Sequence, residues 1–156
     1  MSFDDDVRDL YQEVILDHGR KPRHGHRLAA YDVTAKGDNP MCGDRIEVFV
    51  KLADDGSIAD TGFEARGCAI SVASADLMAE TVQGRGKADT RALFETFREM
   101  ARTGNCPEHD AALDESLERL TPLAGVHEYP SRVKCATLPW HALIAALDGA
   151  KEASSE

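Results

Sequence analysis

The chain lacks most features that assign a protein quickly. No apolar run approaches the roughly 18 residues of a membrane span. The N-terminal MSFDDDVRDLYQEVIL is acidic and has no basic region leading into an apolar run, the reverse of a secretory signal. Basic residues are scarce: 18 Lys and Arg face 28 Asp and Glu, a net charge of −10, and one short basic stretch runs from Arg20 to Arg27. Nucleic acid and anionic membranes are therefore not expected as partners, whereas basic protein surfaces and metal cations suit the charge. There is no phosphate loop, because Gln83 to Lys87 (QGRGK) lacks the Walker spacing and follows no strand. Nor is there an internal repeat or a linker that would split the chain. Cysteine is sparse, with four residues and no C-x2-C pair. A cytoplasmic location is expected, where thiols stay reduced, and the cysteines then point to metal or thiol chemistry.

What is present organises as one domain. The 156 residues suffice to bury roughly two-thirds of the unfolded surface without disulfide staples. Residues 1–148 are expected to form it, and residues 149–156 a flexible tail. Ser2 and Asp5 read as a helix start, and Val7, Leu10, Tyr11, Val14 and Ile15 recur at helical spacing before Gly19 and Pro22. A basic loop reaches Tyr31. Three strands are predicted at Tyr31 to Lys36, Ile46 to Leu52 and Ile58 to Arg66, with a hairpin turn at Asp54-Asp55-Gly56-Ser57. From Cys68 the period becomes helical: Ile70, Ala73, Leu77 and Val82 share a stripe that closes at Gly84. A second helix carries Leu93, Phe94, Phe97 and Met100, with Asp89 as its cap, and a polar segment between Arg102 and Glu118 leads into a short helix. The last helix runs from about Ser131 to Leu147. Strands followed by helices imply α+β: a small three-stranded antiparallel sheet with helices on one face.

The chemistry resides in three cysteines at changes of structure. Cys42 lies in GDNPMCGDR, a run of turn residues; Cys68 follows Gly67 where a strand hands over to a helix; Cys135 is near the start of the last helix. At a helix N-terminus, unpaired N–H groups and the helix dipole stabilise a thiolate. Asp44, two residues past Cys42, completes a candidate set of three thiolates and one carboxylate. The competing readings are three small core hydrophobes and an Asp that forms a turn on its own backbone. Arg132 and Lys134 sit where cations oppose the dipole, which favours a role at the thiolates or at a partner, for Arg132 above all. Cys106 and His109 have C-x2-H spacing but read as a free thiol beside a histidine. His18, His24 and His26 read as surface histidines, and Trp140 as a packing residue. Pro139, inside the last helix, cannot donate to the Cys135 carbonyl, which predicts a kink or a delayed helix start.

NPMCGDRIEVFVKL, GFEARGCAISVASADLMAE and SRVKCATLPWHAL resemble, in order, the three cysteine motifs of the SufU/IscU-like (NifU N-terminal-like) iron–sulfur cluster assembly proteins. LYQEVILDHGRKPRH resembles that family's first helix and loop, so the likeness covers nearly the whole chain. It implies that Cys42, Asp44, Cys68 and Cys135 gather at one end of an α+β fold to bind zinc or carry a nascent cluster. Lys134 stands where the scaffold type has histidine, and the scaffold's Leu-Pro-Pro-Val-Lys stretch has no counterpart. Both departures, with the polar segment after Arg102, are similar to the SufU branch. That branch implies one Zn2+ per chain, with Cys42 accepting persulfide sulfur from a PLP-dependent cysteine desulfurase of the SufS type and passing it to downstream assembly proteins. Such a carrier has no independent turnover. The alternatives are a scaffold holding iron or a [2Fe–2S] cluster on Cys42, Cys68 and Cys135, and a closed structural zinc module.

Overall fold

The computed structural model describes residues 3–40 and 43–154. Ser2 and Cys42 lie outside the described residues, as do the side chains of Asp5 and Val7. Among the described residues there are five α-helices: α1 (Phe3–Arg20), α2 (Ala69–Thr81), α3 (Lys87–Thr103), α4 (Asp114–Leu120) and α5 (Pro130–Leu147). Four strands form one sheet: β1 (Val33–Asn39), β2 (Asp44–Leu52), β3 (Ile58–Arg66) and β4 (Glu152–Ser154), in the order β3-β2-β1-β4.

The first three strands make the expected antiparallel meander, with Val48 opposite both Ala35 and Phe63. The β2–β3 turn is held by Asp55, whose carboxylate accepts the Ser57 N–H at 2.9 Å and its hydroxyl at 2.6 Å. The sheet has four strands rather than three. Within the stretch assigned to a flexible tail, Glu152–Ser154 pairs in parallel with β1, and the sheet is mixed. Alternation sets its two faces. Ala35, Ile46, Val48, Val50 and Phe63 are buried against helices, while Lys36, Arg45, Glu64 and Arg66 are solvated on the other side. Phe49 points to that second face yet is fully buried, because Tyr31 (ring centroids 5.0 Å apart) and the Arg27 guanidinium (4.9 Å from its ring) cover it.

Helix α5 lies across β1 and β2, α2 packs on α5 and β3, and α1 and α3 form an outer layer on α2 and α5. The core meets at Trp140, fully buried between Phe97 (5.1 Å) and Phe94 (6.1 Å). Several expectations are corrected. Leu10 is 56% exposed, so it does not join the half-buried stripe of Tyr11, Val14 and Ile15 on α1. Helix α3 is capped by Gly86, and Asp89 sits in the first turn, bonded to Arg85 at 2.8 Å. Helix α5 starts at Pro130, ahead of Cys135, and contains Pro139. Among the described residues, no helix is long and apolar enough to cross a membrane.

Candidate metal centre

Three elements bring the candidate donors together. Asp44 is the first residue of β2 and directly follows Gly43, whose φ of +76° suits glycine at this tight reversal. Cys68 is the N-cap of α2, and Cys135 lies in the second turn of α5. The helix-terminus argument therefore holds for Cys68 and not for Cys135. One donor atom from each of Asp44, Cys68 and Cys135 falls within 4.8 Å of the others. Asp44 is 2% exposed, Cys135 fully buried and Cys68 half-buried, so the centre opens outward on the Cys68 side.

Asp44 does not serve its own turn alone. Its Oδ1 accepts the Cys68 N–H at 2.9 Å, which places a carboxylate at the N-terminus of α2 where the helix dipole favours it. Its Oδ2 accepts a 2.7 Å bond from the Ser71 hydroxyl and lies 3.7 Å from Cys68 Sγ. Gly67 permits this approach, since a Cβ there would collide with the Asp44 carboxylate.

Ser71 is the residue that reading by motif left out. Its Oγ also lies 3.2 Å from the Cys135 carbonyl, the group that Pro139 leaves without an intrahelical donor. A neighbouring hydroxyl, Ser74, donates to the next carbonyl, Ala136, at 2.5 Å. The proline thus leaves this carbonyl beside α2, where the Ser71 hydroxyl gives its one proton to the nearer Asp44 carboxylate and keeps its oxygen within 3.7 Å of Cys68 Sγ. The signal was available: Ser71 is three residues past an N-cap and so faces the same end of the helix. Ser71→Ala removes a charge-assisted bond to a buried carboxylate and should cost about 1.5–3 kcal/mol in urea unfolding of the metal-free chain.

The donor set fits zinc. Tetrahedral coordination with Zn–S near 2.3 Å and Zn–O near 2.0 Å separates a sulfur and an oxygen ligand by about 3.5 Å, close to the 3.7 Å between Cys68 Sγ and Asp44 Oδ2. Asp44, Cys68 and Cys135 would hold the ion and leave a fourth position. Cys42, the fourth candidate ligand, lies outside the described residues next to Gly43. Arg132 is exposed, with Nη1 4.0 Å from Cys135 Sγ. Its bond to the Cys135 sulfur, then the charges of Cys68 and Cys135, push the guanidinium pKa further up. It remains a fixed cation beside both thiols.

The remaining candidates are elsewhere. Cys106 is exposed beyond α3, with Sγ 3.6 Å from His109 Nδ1. Desolvation, then the Asp114 charge, push its thiol pKa up, which keeps it protonated and poorly nucleophilic. His18 is not a surface histidine: its ring is tied to the buried Asp76 of α2.

A family model described as the NifU-like N terminal domain matches residues 10–136. The chain is 37% identical over 143 residues to the zinc-dependent sulfurtransferase SufU of Bacillus subtilis (strain 168), covering 92% of each protein. It is also 37% identical over 134 residues to the iron–sulfur cluster assembly scaffold protein IscU of Streptococcus pyogenes serotype M1, covering 86% of this chain and 80% of that one. Among solved structures, the SUF-system scaffold-type protein from Fervidobacterium islandicum AW-1 superposes with a TM-score of 0.77 at 31% identity, over 90% of this chain and 98% of that chain.

Proposed function

The chain belongs to the NifU-like N-terminal domain family, and from that premise we propose that it serves iron–sulfur cluster assembly as a zinc-dependent sulfur acceptor. The observation that carries this reading is the convergence of Asp44, Cys68 and Cys135 from three elements, three donors for an ion that takes four. Zinc held there would keep its cysteine ligands as thiolates at neutral pH. An oxygen donor among sulfurs makes a set less closed than four cysteines, which suits a centre that must release one ligand.

Cys42 is the assigned acceptor. Its thiolate attacks the terminal sulfur of a persulfide on a PLP-dependent cysteine desulfurase of the SufS type. The new S–S bond forms on Cys42, the partner's S–S bond breaks, and the partner's cysteine leaves as thiolate, so no external oxidant is needed. Asp44, Cys68 and Cys135 remain as metal ligands, and Ser71 holds Asp44 in place. Arg132 offers its cation to the anionic sulfur in transit. The 37% identity to a zinc-dependent sulfurtransferase supports this reading; an IscU scaffold protein is equally identical, and what favours the carrier over the scaffold is Lys134, which stands where the scaffold type has histidine.

The deciding experiment measures cysteine desulfurase turnover with zinc-loaded wild type and with Cys42→Ala, assaying metal on the same samples. Strong stimulation by wild type that disappears in Cys42→Ala, with a persulfide detected on wild type alone, is the expected result. No stimulation by either form, with iron and labile sulfide retained after anaerobic loading, would replace the carrier by a [2Fe–2S] scaffold. Bound zinc with no stimulation, no iron and no thiol reactivity would leave a structural zinc module.

A further inference from the structure

A second convergence of donors lies further along α2, outside the thiol centre. His18 stands in the last turn of α1, His24 in the loop after it, and Asp76 and Glu80 one turn apart on α2. His18, Asp76 and Glu80 each bring a donor atom within 4.8 Å of the others. His18 Nδ1 is 2.5 Å from Asp76 Oδ2, and His24 Nε2 is 3.8 Å from Glu80 Oε1. We propose that His18, His24, Asp76 and Glu80 form a second divalent-metal site, built of nitrogen and oxygen donors only, for a first-row cation such as Fe2+ or Mn2+.

Four features favour a cation over a plain hydrogen-bonded cluster. The donor set is mixed, and two imidazoles with two carboxylates match the preferences of such ions. Each carboxylate has one oxygen held by the protein and the other turned toward the histidines. Asp76 Oδ1 accepts the His24 N–H at 2.8 Å, and Glu80 Oε2 faces Arg119 Nη1 at 3.7 Å, while Asp76 Oδ2 and Glu80 Oε1 point inward. This is how supporting groups orient metal ligands. The His24 backbone is fixed on both sides, since its carbonyl also accepts the Phe63 N–H at 3.1 Å. Finally, Asp76 is fully buried and Glu80 follows it by one turn on the same helix face, so the two carboxylates bring oxygens toward one point.

The site does not depend on sulfur transfer. Asp76 lies eight residues beyond Cys68, about 12 Å along the helix, so the two centres cannot share one ion. Binding replaces the direct His18–Asp76 contact by two bonds to the ion and leaves the oxidation state of the ion unchanged. Glu80 and His24 side chains are each 25% exposed, which gives the ion an entry path and makes them the safe positions to vary.

The full-length chain, with its thiol centre filled by one equivalent of zinc, is titrated anaerobically with Co2+. The expected result is one further equivalent showing d–d bands without sulfur-to-cobalt charge transfer. Glu80→Gln and His24→Gln should each weaken this binding about tenfold or more and keep one zinc per chain, which reports an intact fold. Saturation absent up to about 1 mM Co2+, or binding that neither variant changes, would overturn the proposal. So would a thiolate charge-transfer band on the second equivalent. Loss of desulfurase stimulation would refute the sulfur-acceptor reading and leave this titration unaffected.

Discussion

Cys135→Ser is expected to weaken zinc binding about 100- to 1,000-fold, which is one ligand's share of the ~10–16 kcal/mol that a four-ligand zinc site contributes. Cys135 is fully buried, and its sulfur has Arg132 on one side and Asp44 and Cys68 on the other. Serine is close in size, so the packing of α5 against β1 and β2 should survive the change. What is lost is a soft donor, and a hydroxyl at neutral pH does not replace a thiolate. The check is a competition titration against a chromophoric chelator, paired with thermal unfolding in excess EDTA. The variant should match wild type in EDTA and fall below it with zinc, because ligand binding stabilises only the state that holds the site. Equal zinc affinity in the variant would remove Cys135 from the ligand set.

Gly67→Val should have an effect of the same order, for a steric reason. Any side chain at position 67 would overlap the Asp44 carboxylate, which is itself fixed by the Cys68 N–H and the Ser71 hydroxyl. The carboxylate must move away, and it then gives up the bond to the N-terminus of α2 as well as its place in the centre. A zinc affinity lowered about 100-fold is expected, together with destabilisation of about 1.5–3 kcal/mol from the displaced charge-assisted bond. Gly67→Ala should show the same signs at smaller size. A matched Asp44→Ala variant separates the two causes: with the carboxylate gone, adding Val at 67 should cost little more. Independent, additive effects of Gly67→Val and Asp44→Ala would show that the glycine acts elsewhere.

Much of the fold was readable because it rests on short-range signals. Strand β3 occupies Ile58 to Arg66 as its β-branched residues and flanking turn predict, and the antiparallel hairpin follows from Asp54 to Ser57. The helical period from Cys68 onward matches α2, and that of Leu93, Phe94, Phe97 and Met100 matches α3. Sequence was a poorer guide wherever a residue's surroundings come from far along the chain. Leu10 has the spacing of a core residue but is exposed, because the partners that could cover it lie on α2 and pack on a different side of α1. Strand β4 has only three residues and no hydrophobic pattern; it exists because the chain leaving α5 returns beside the open edge of β1.

The candidate site divides in the same way. By itself, the sequence determined which residue types were available and where each thiol stood in its own element: Cys68 at the start of a helix, Cys42 in a glycine and proline turn, Asp44 two residues beyond it. The resemblance to a family supplied their common purpose. Only the tertiary structure decided that Asp44, Cys68 and Cys135 share one centre, since that requires β2, α2 and α5 to pack with a particular register. It also set the Ser71 hydroxyl on the Asp44 carboxylate, next to the carbonyl released by Pro139, and turned His18 from a surface histidine into a partner of buried Asp76. Local propensity is set by neighbours three or four positions away, whereas a metal centre is set by donors more than 20 residues apart, whose meeting is a property of the packed core.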